Sequence, residues 1–170
     1  MAKKVLMVVA FKGYRDEEYH QPKEIMEAAG LTVVTASSSS GTARGKLGAA
    51  TKVDIELSKV KVSDFDGLAF IGGPGSYDYF EDKTALALAR EAVANDKVVG
   101  GICAAAAILA NAGVLKGIKA TCFSGVADIL KSKGALYSDS GFEVSGKLIT
   151  ADGPAHAREF GQAFIVQLAG

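Results

Sequence analysis

Short apolar runs alternate with helix-forming stretches along almost the whole chain, and this alternation constrains the fold more than any other feature. The run 5–10 is rich in valine and continuously apolar, which is typical of a strand buried on both faces. Strands that alternate with helices favour a mainly parallel sheet with helices on both of its faces. The predicted strands are 5–10, 31–36, 51–57, 67–71, 97–102, 118–122 and a hairpin of 142–145 with 148–151, and the predicted helices are 16–29, 83–95, 104–112, 126–133 and 157–168.

Two stretches fit the alternation less simply. The stretch 37–48 is small, polar and glycine-rich, so it is predicted to be a loop. Pro22 lies inside the predicted helix 16–29. A proline at an interior position lacks the N–H that a helix needs, so we expect a kink or a separate first turn there.

Size, charge and cysteine content narrow the class of protein. The 170 residues, 49% of them apolar, fit one globular domain that spans 1–170. Lys plus Arg and Asp plus Glu both number 19, which argues against nucleic acid or an anionic membrane surface as the main partner. There are only two cysteines, no signal-peptide pattern over 1–4 and no apolar run that could span a bilayer. We therefore expect a cytoplasmic protein.

Cys103 follows the predicted strand 97–102 and precedes four alanines that favour helix. Gly100 and Gly101, just before it, allow close backbone packing at the strand end. Unpaired amides and the positive end of a helix dipole favour a thiolate at such a turn, and a thiolate is the nucleophilic form of cysteine. The simpler alternative is a small buried side chain, but the position favours a nucleophile.

Gly72 and Gly73 end the preceding predicted strand. Ligands of parallel α/β sheets bind beyond the carboxyl ends of the strands, so backbone amides at this turn could face Cys103 and bind a developing oxyanion. Pro74 has no N–H, so we expect the amides of Gly73 and Ala104 to be the donors. An ordinary glycine-rich turn is the alternative. No CxxC pair, paired histidines or phosphate-loop ending occurs, so no metal and no cofactor is predicted.

The motifs around 71–73 and 101–104 together resemble the ThiJ/PfpI family, the superfamily of the Parkinson's-associated protein deglycase and the PfpI intracellular protease. The resemblance extends over 45–48, 52–54, 111–117 and 153–154. It implies a flavodoxin-like α/β sandwich of three layers and a homodimer or larger homo-oligomer. It also implies that Glu18, on an early helix, is protonated and hydrogen-bonds the sulfur of Cys103. A carboxyl buried beside a thiolate should have a raised pKa, because two adjacent negative charges are costly in a low dielectric.

Two departures from the family pattern bear on function. The proteolytic branch has a histidine directly after the nucleophile, where this chain has Ala104, and a glutamate from a neighbouring subunit, where it has Tyr77. The deglycase branch has a histidine at the position of Phe123. His156 follows a loop that the family places near the mouth of the site, so Phe123 and His156 are auxiliary candidates. The resemblance thus implies a Cys–Glu pair without either usual third partner.

Three functions compete at this point. The first is a cytoplasmic stress-response enzyme that uses Cys103 and Glu18 on small reactive carbonyls, in a glyoxalase or deglycase reaction. The second is a PfpI-like cysteine peptidase or amidase, which needs a base that Ala104 cannot supply. The third is a non-enzymatic redox sensor or chaperone that depends on oxidation of Cys103.

Overall fold

The fold is a three-layer α/β sandwich, known from a computed structural model that describes residues 2–170. The strands are β1 (Lys4–Val8), β2 (Lys12–Tyr14), β3 (Thr32–Ser37), β4 (Gly41–Gly45), β5 (Ala50–Val53), β6 (Ile55–Glu56), β7 (Gly67–Phe70), β8 (Val98–Ile102), β9 (Lys119–Ala120), β10 (Leu136–Tyr137), β11 (Phe142–Ser145) and β12 (Leu148–Ala151). The helices are α1 (Asp16–Ala28), α2 (Lys83–Ala94), α3 (Ala106–Asn111), α4 (Ala127–Ser132) and α5 (Ala157–Ala169).

Seven strands form the central sheet in the order β11-β12-β8-β7-β1-β3-β6. Every neighbouring pair in it is parallel except the hairpin of β11 and β12. This arrangement confirms the predicted mainly parallel sheet with helices on both faces. None of the helices in 2–170 combines the length and the apolar character that a membrane crossing requires.

Both faces of the sheet are buried, as the valine-rich run of β1 predicts. Leu6 and Val8 pack in the core layer that contains α2 and α3, whereas Val5 and Met7 pack in the layer that contains α1 and α5. Side chains along a strand alternate between its faces, so a central strand between two helical layers must be apolar throughout.

The prediction of a loop over 37–48 is wrong for the middle of this stretch. β4 lies there, pairs antiparallel with β5 and parallel with the short β2, and forms a small sheet of three strands beside the main one. Only Ala43 of β4 is buried, so the sequence shows no apolar alternation that would reveal the strand. The predicted strand 118–122 is also much shorter than expected, since only Lys119 and Ala120 are paired.

The separate first turn that Pro22 could have caused does not occur, because α1 is one continuous helix with the proline inside it. Pro22 is buried against α5, where a Cβ on Gly161 would lie 2.8 Å from the proline Cα. The close packing of these two helices compensates for the backbone hydrogen bond that proline cannot donate. The consequence for function is that α1 holds Glu18 rigidly in the core.

Candidate active site

Cys103 lies at a sharp turn at the carboxyl end of β8. Its φ angle is 61°, in the left-handed region that residues other than glycine rarely adopt. A turn of 3-10 helix over Cys103–Ala105 follows at once and leads into α3. Strained backbone of this kind costs about 1–3 kcal/mol and clusters at functional sites. The side chain is half-buried, and its sulfur is not sealed in the core.

Glu18 reaches Cys103 from α1, across the glycine turn that follows β7. The carboxyl group is fully buried, and its Oε1 accepts a hydrogen bond of 3.1 Å from the amide of Gly72. Its other oxygen, Oε2, has no hydrogen-bond partner of standard geometry, and the thiol of Cys103 lies against the carboxyl. A Cβ on Gly72 would be 2.6 Å from Oε1 and 2.7 Å from the Cβ of Cys103. Only glycine leaves room for the two side chains to meet.

Burial controls the protonation of this pair. It raises the pKa of the Glu18 carboxyl to about 7, although hydrogen bonds from Cys103 and Gly72 act in the opposite direction. Burial first, and then the negative charge of Glu18, raise the pKa of the Cys103 thiol to about 12. The two groups titrate as a coupled pair, and burial raises the pKa of both.

The raised pKa of Glu18 agrees with the expectation, whereas the raised pKa of Cys103 opposes the resting thiolate that was expected there. The sequence argument relied on the dipole of the helix after Cys103, and that helix, α3, has only six residues. The loss of hydration in the buried site outweighs so short a helix.

The backbone amides divide into two roles. Those of Ala104 and Gly73 lie beside the sulfur, where they favour its thiolate and partly oppose the effect of burial. These are the two amides that the sequence predicts as oxyanion donors. The amide of Gly72, which belonged to the same predicted group, points instead to Glu18. Its N–H is used to hold the carboxyl, so it is not free to bind an oxyanion.

A cleft of about 230 Å³ opens above the sulfur. Tyr77 and Phe123 contribute aromatic side chains to it, and both are partly exposed, at 46% and 42%. The carbonyl of Cys103 accepts a hydrogen bond of 3.1 Å from the amide of Phe123, which ties this aromatic wall to the nucleophile turn. The complete lining is Arg15, Lys46, Gly73, Pro74, Tyr77, Cys103, Ala104 and Phe123.

The sequence analysis missed Arg15 and Lys46, the two cations of this lining. Arg15 directly precedes α1, and its amide donates a hydrogen bond of 2.9 Å to the carbonyl of Gly72. Lys46 follows β4, in the stretch that was predicted to be a loop. Arg15 lies only three residues before Glu18, and this proximity could have indicated that it belongs to the site. Lys46 reaches the cleft through strand pairings that the sequence does not reveal.

The remaining candidates lie outside the cleft. The Nδ1 atom of His156 is 2.7 Å from Oδ1 of Asp152, and His156 is not part of the lining. His20 lies 3.3 Å from the hydroxyl of Tyr14, on the face of α1 away from Glu18. Cys122 is only 1% exposed and packs in the core, as predicted. Among residues 2–170, no group of three or more His, Cys, Asp and Glu side chains could hold a metal ion.

Comparisons with known proteins agree with this geometry. A deglycase of Pyrococcus horikoshii is 32% identical over 162 residues, which are 95% of this chain and 97% of the deglycase. An uncharacterized protein of Methanocaldococcus jannaschii is 41% identical over 161 residues, 93% of this chain and 78% of that protein. The crystal structure of a ThiJ/PfpI domain protein from Brachyspira murdochii matches with a TM-score of 0.97 and 34% identity, over 99% of this chain and 97% of that one. A family model described as the DJ-1/PfpI family matches residues 3–167, so the chain belongs to the DJ-1/PfpI family.

Proposed function

We propose that the chain is a cysteine-dependent enzyme that converts small 2-oxoaldehydes, such as methylglyoxal, into 2-hydroxy acids without a cofactor. The observation that carries this proposal is the contact between a half-buried thiol at an open cleft and a fully buried carboxyl group. The similarity to a protein named as a deglycase supports chemistry on carbonyl adducts. A cytoplasmic role in protection from reactive carbonyls, and a homodimeric assembly, belong to the same proposal.

The first step is addition of the thiol to the aldehyde. The Glu18 carboxylate takes the thiol proton while the sulfur attacks the aldehyde carbon and the carbonyl electron pair moves to oxygen. The amides of Gly73 and Ala104 stabilise the oxyanion, and Glu18 returns the proton to it. The product of this step is a hemithioacetal on Cys103.

The second stage moves hydrogen within the bound molecule and then releases it. Glu18 removes the proton from the aldehyde carbon and delivers it to the neighbouring carbonyl carbon through an enediol, which leaves a 2-hydroxy thioester. Water then attacks the thioester, the carbon–sulfur bond breaks, and the thiol recovers its proton. The balance is one methylglyoxal plus one water to one lactate and one proton, so oxidation at one carbon offsets reduction at the other.

The geometry offers less support for the two alternatives. A peptidase needs a base beside the thiol that can also protonate a leaving amine, and no histidine lines the described cleft. A redox sensor oxidises through its thiolate, whereas burial raises the pKa of Cys103 to about 12. Cleavage of peptides that depends on Cys103 would favour the peptidase over our proposal.

The test is turnover of methylglyoxal to lactate by purified protein. We expect Cys103→Ala to abolish it and Glu18→Gln to lower kcat at least about a hundredfold, the usual scale of general-base catalysis. Cys122→Ala is the matched cysteine control, since that side chain is in the core and away from the cleft. If Cys103→Ala, folded as the wild type, turned over methylglyoxal at the wild-type rate, the proposal would be wrong.

A further inference from the structure

We infer that the cleft above Cys103 selects substrates that carry a carboxylate near the reactive carbonyl, an inference that names a substrate class and rests on the proposed function. The charged side chains of the lining are those of Arg15 and Lys46, and both are cations. No carboxylate side chain is part of the lining. The negative charge of the catalytic pair lies beneath them, on buried Glu18.

The charged groups at the mouth of the cleft suit a ligand with a single negative charge. Arg15 pairs with Glu17, from Nε to Oε1 at 2.9 Å and from Nη2 to Oε2 at 3.0 Å. An arginine has five N–H donors, so Nη1 and the second hydrogen of Nη2 stay available for a planar carboxylate. Lys46 is exposed and has no ion pair among the described residues. Glu17 and, when ionised, buried Glu18 offset the charge of these two cations. The mouth therefore offers directed N–H donors to one carboxylate and no excess of positive charge for a dianionic phosphate.

Lys46 is held in place by the backbone on both sides of it. Its own amide donates a hydrogen bond of 2.8 Å to the carbonyl of Tyr14. The amides of Leu47 and Ala49 each donate a hydrogen bond of 2.9 Å to the buried carboxylate of Asp16. Two charge-assisted hydrogen bonds fix this turn against the start of α1, next to Arg15. The cation pair is thus set by the core of the protein and not by a free surface loop.

The volume of the cleft limits the size of the substrate. Pockets for drug-sized ligands are about 300–1,000 Å³, so a cleft of about 230 Å³ takes a smaller compound. With its aldehyde at the sulfur of Cys103, a short substrate would place a carboxylate near Arg15 and Lys46. A 2-oxoaldehyde with a terminal carboxylate, such as 4,5-dioxopentanoate, meets this description.

Alkylation of Cys103 tests the selectivity without any need for turnover. Iodoacetate and iodoacetamide have nearly the same shape and differ in charge, and the ratio of their rate constants cancels the thiol pKa. The iodoacetate-to-iodoacetamide ratio for Cys103 is divided by the same ratio for a neutral thiol, N-acetylcysteinamide. Modification of Cys103 is measured by mass spectrometry of its peptide. We expect the ratio for Cys103 to be at least about three times the ratio for the reference thiol at low salt. The difference should shrink as salt screens the cations.

Variants of the two cations complete the test. Arg15→Gln and Lys46→Gln should each bring the ratio towards that of the reference thiol, and Arg15→Lys should keep most of the preference. Lys61→Gln removes an exposed lysine outside the cleft and should change nothing. In Arg15→Gln and in Lys46→Gln, kcat/KM for 4,5-dioxopentanoate should fall at least about threefold more than for its neutral methyl ester.

The outcomes separate this inference from the proposed function. A ratio at or below that of the reference thiol, or one that neither cation variant changes, would overturn the inference even if methylglyoxal is turned over. A strong preference for iodoacetate in a protein that does not act on methylglyoxal would support the carboxylate site and reject the proposed reaction. If neither reagent modified Cys103, both proposals would be wrong.

Discussion

The amide of Gly72 donates a hydrogen bond of 3.1 Å to Oε1 of Glu18, and this bond fixes a buried carboxyl beside the Cys103 thiol. One glycine therefore does two things at the carboxyl end of β7. It holds the carboxyl through its N–H, and it leaves the space in which the carboxyl and the cysteine meet. In the proposed mechanism this relationship positions Glu18 to exchange protons with the sulfur of Cys103.

Gly72→Ala should separate the catalytic pair. Its Cβ would lie 2.6 Å from Oε1 of Glu18 and 2.7 Å from the carbonyl oxygen of Ile102, distances at which atoms must move. We expect turnover to fall at least about tenfold and the free energy of unfolding to fall by about 1–3 kcal/mol. Gly153→Ala is the control, because nothing lies within 4 Å of a Cβ there. Equal activity in the two variants would count against the spatial role of Gly72.

Glu18→Gln should stabilise the protein above neutral pH. The unfolded chain binds this proton with the ordinary pKa of 4.5 and the folded protein with a pKa of about 7, so the folded state holds it more tightly. The stabilising contribution is complete below 4.5 and is lost as the pH rises through 7, at a cost of about 3 kcal/mol. Glutamine keeps the acceptor for Gly72 without the charge.

Urea denaturation at several pH values measures this effect. We expect Glu18→Gln to exceed the wild type in free energy of unfolding by about 2–3 kcal/mol near pH 8 and the gap to shrink as the pH falls towards 4.5. Glu24→Gln, at an exposed position of the same helix, provides the control. A gap that did not change with pH would mean that the pKa of Glu18 is not raised in the folded protein.

Asp16→Asn should loosen the turn that carries Lys46. The amide group of asparagine can accept from only one of the two backbone donors at Leu47 and Ala49 and turns its own N–H₂ towards the other. An unsatisfied buried donor costs about 1–3 kcal/mol. We expect a lower free energy of unfolding and a weaker preference for iodoacetate at Cys103. Asp139→Asn, at an exposed position, should affect neither measurement.

His156→Ala should leave catalysis nearly unchanged. The imidazole is bound to Asp152 at 2.7 Å and is not part of the cleft lining, so it has no route to the reacting atoms in this structure. We expect kcat for methylglyoxal within about twofold of the wild type, since the pair of Cys103 and Glu18 supplies the proton transfers. A loss of tenfold or more, on the scale of general acid–base catalysis, would give His156 the auxiliary role that the sequence analysis considered.

The local features of this fold could be predicted from the sequence, and the long-range ones could not. β1 and the turn at Cys103 are encoded by neighbouring residues, an apolar run in one case and glycines before alanines in the other. Glu18 has the appearance of an ordinary helix residue beside Glu17, and only the family resemblance selected it. Its burial depends on the packing of α1 against the sheet, which no local pattern displays.

The electrostatics show the same limit. The prediction of a thiolate at Cys103 rested on the helix dipole and the backbone amides. It could not include the degree of burial of the thiol, which has the larger effect on its pKa. The cation pair was missed because Lys46 is brought to the cleft by the pairing of β4 with β2, a strand distant in the sequence. The pKa of the Cys103 thiol and the position of Lys46 both depend on contacts between distant parts of the chain, which a single sequence does not reveal.

The central claim is that Glu18 is the base for Cys103, and the pH dependence of Cys103 alkylation by iodoacetamide measures it most directly. In the wild type the rate should rise through about pH 7, where Glu18 loses its proton, and then level off well below the thiol pKa of about 12. Glu18→Gln should lose this step, and its rate should keep rising with pH above 7, because the Glu18 charge that raises the pKa of the Cys103 thiol is absent. Glu24→Gln should keep the wild-type profile. The same midpoint near pH 7 in Glu18→Gln would contradict the account, because another group would then control the sulfur.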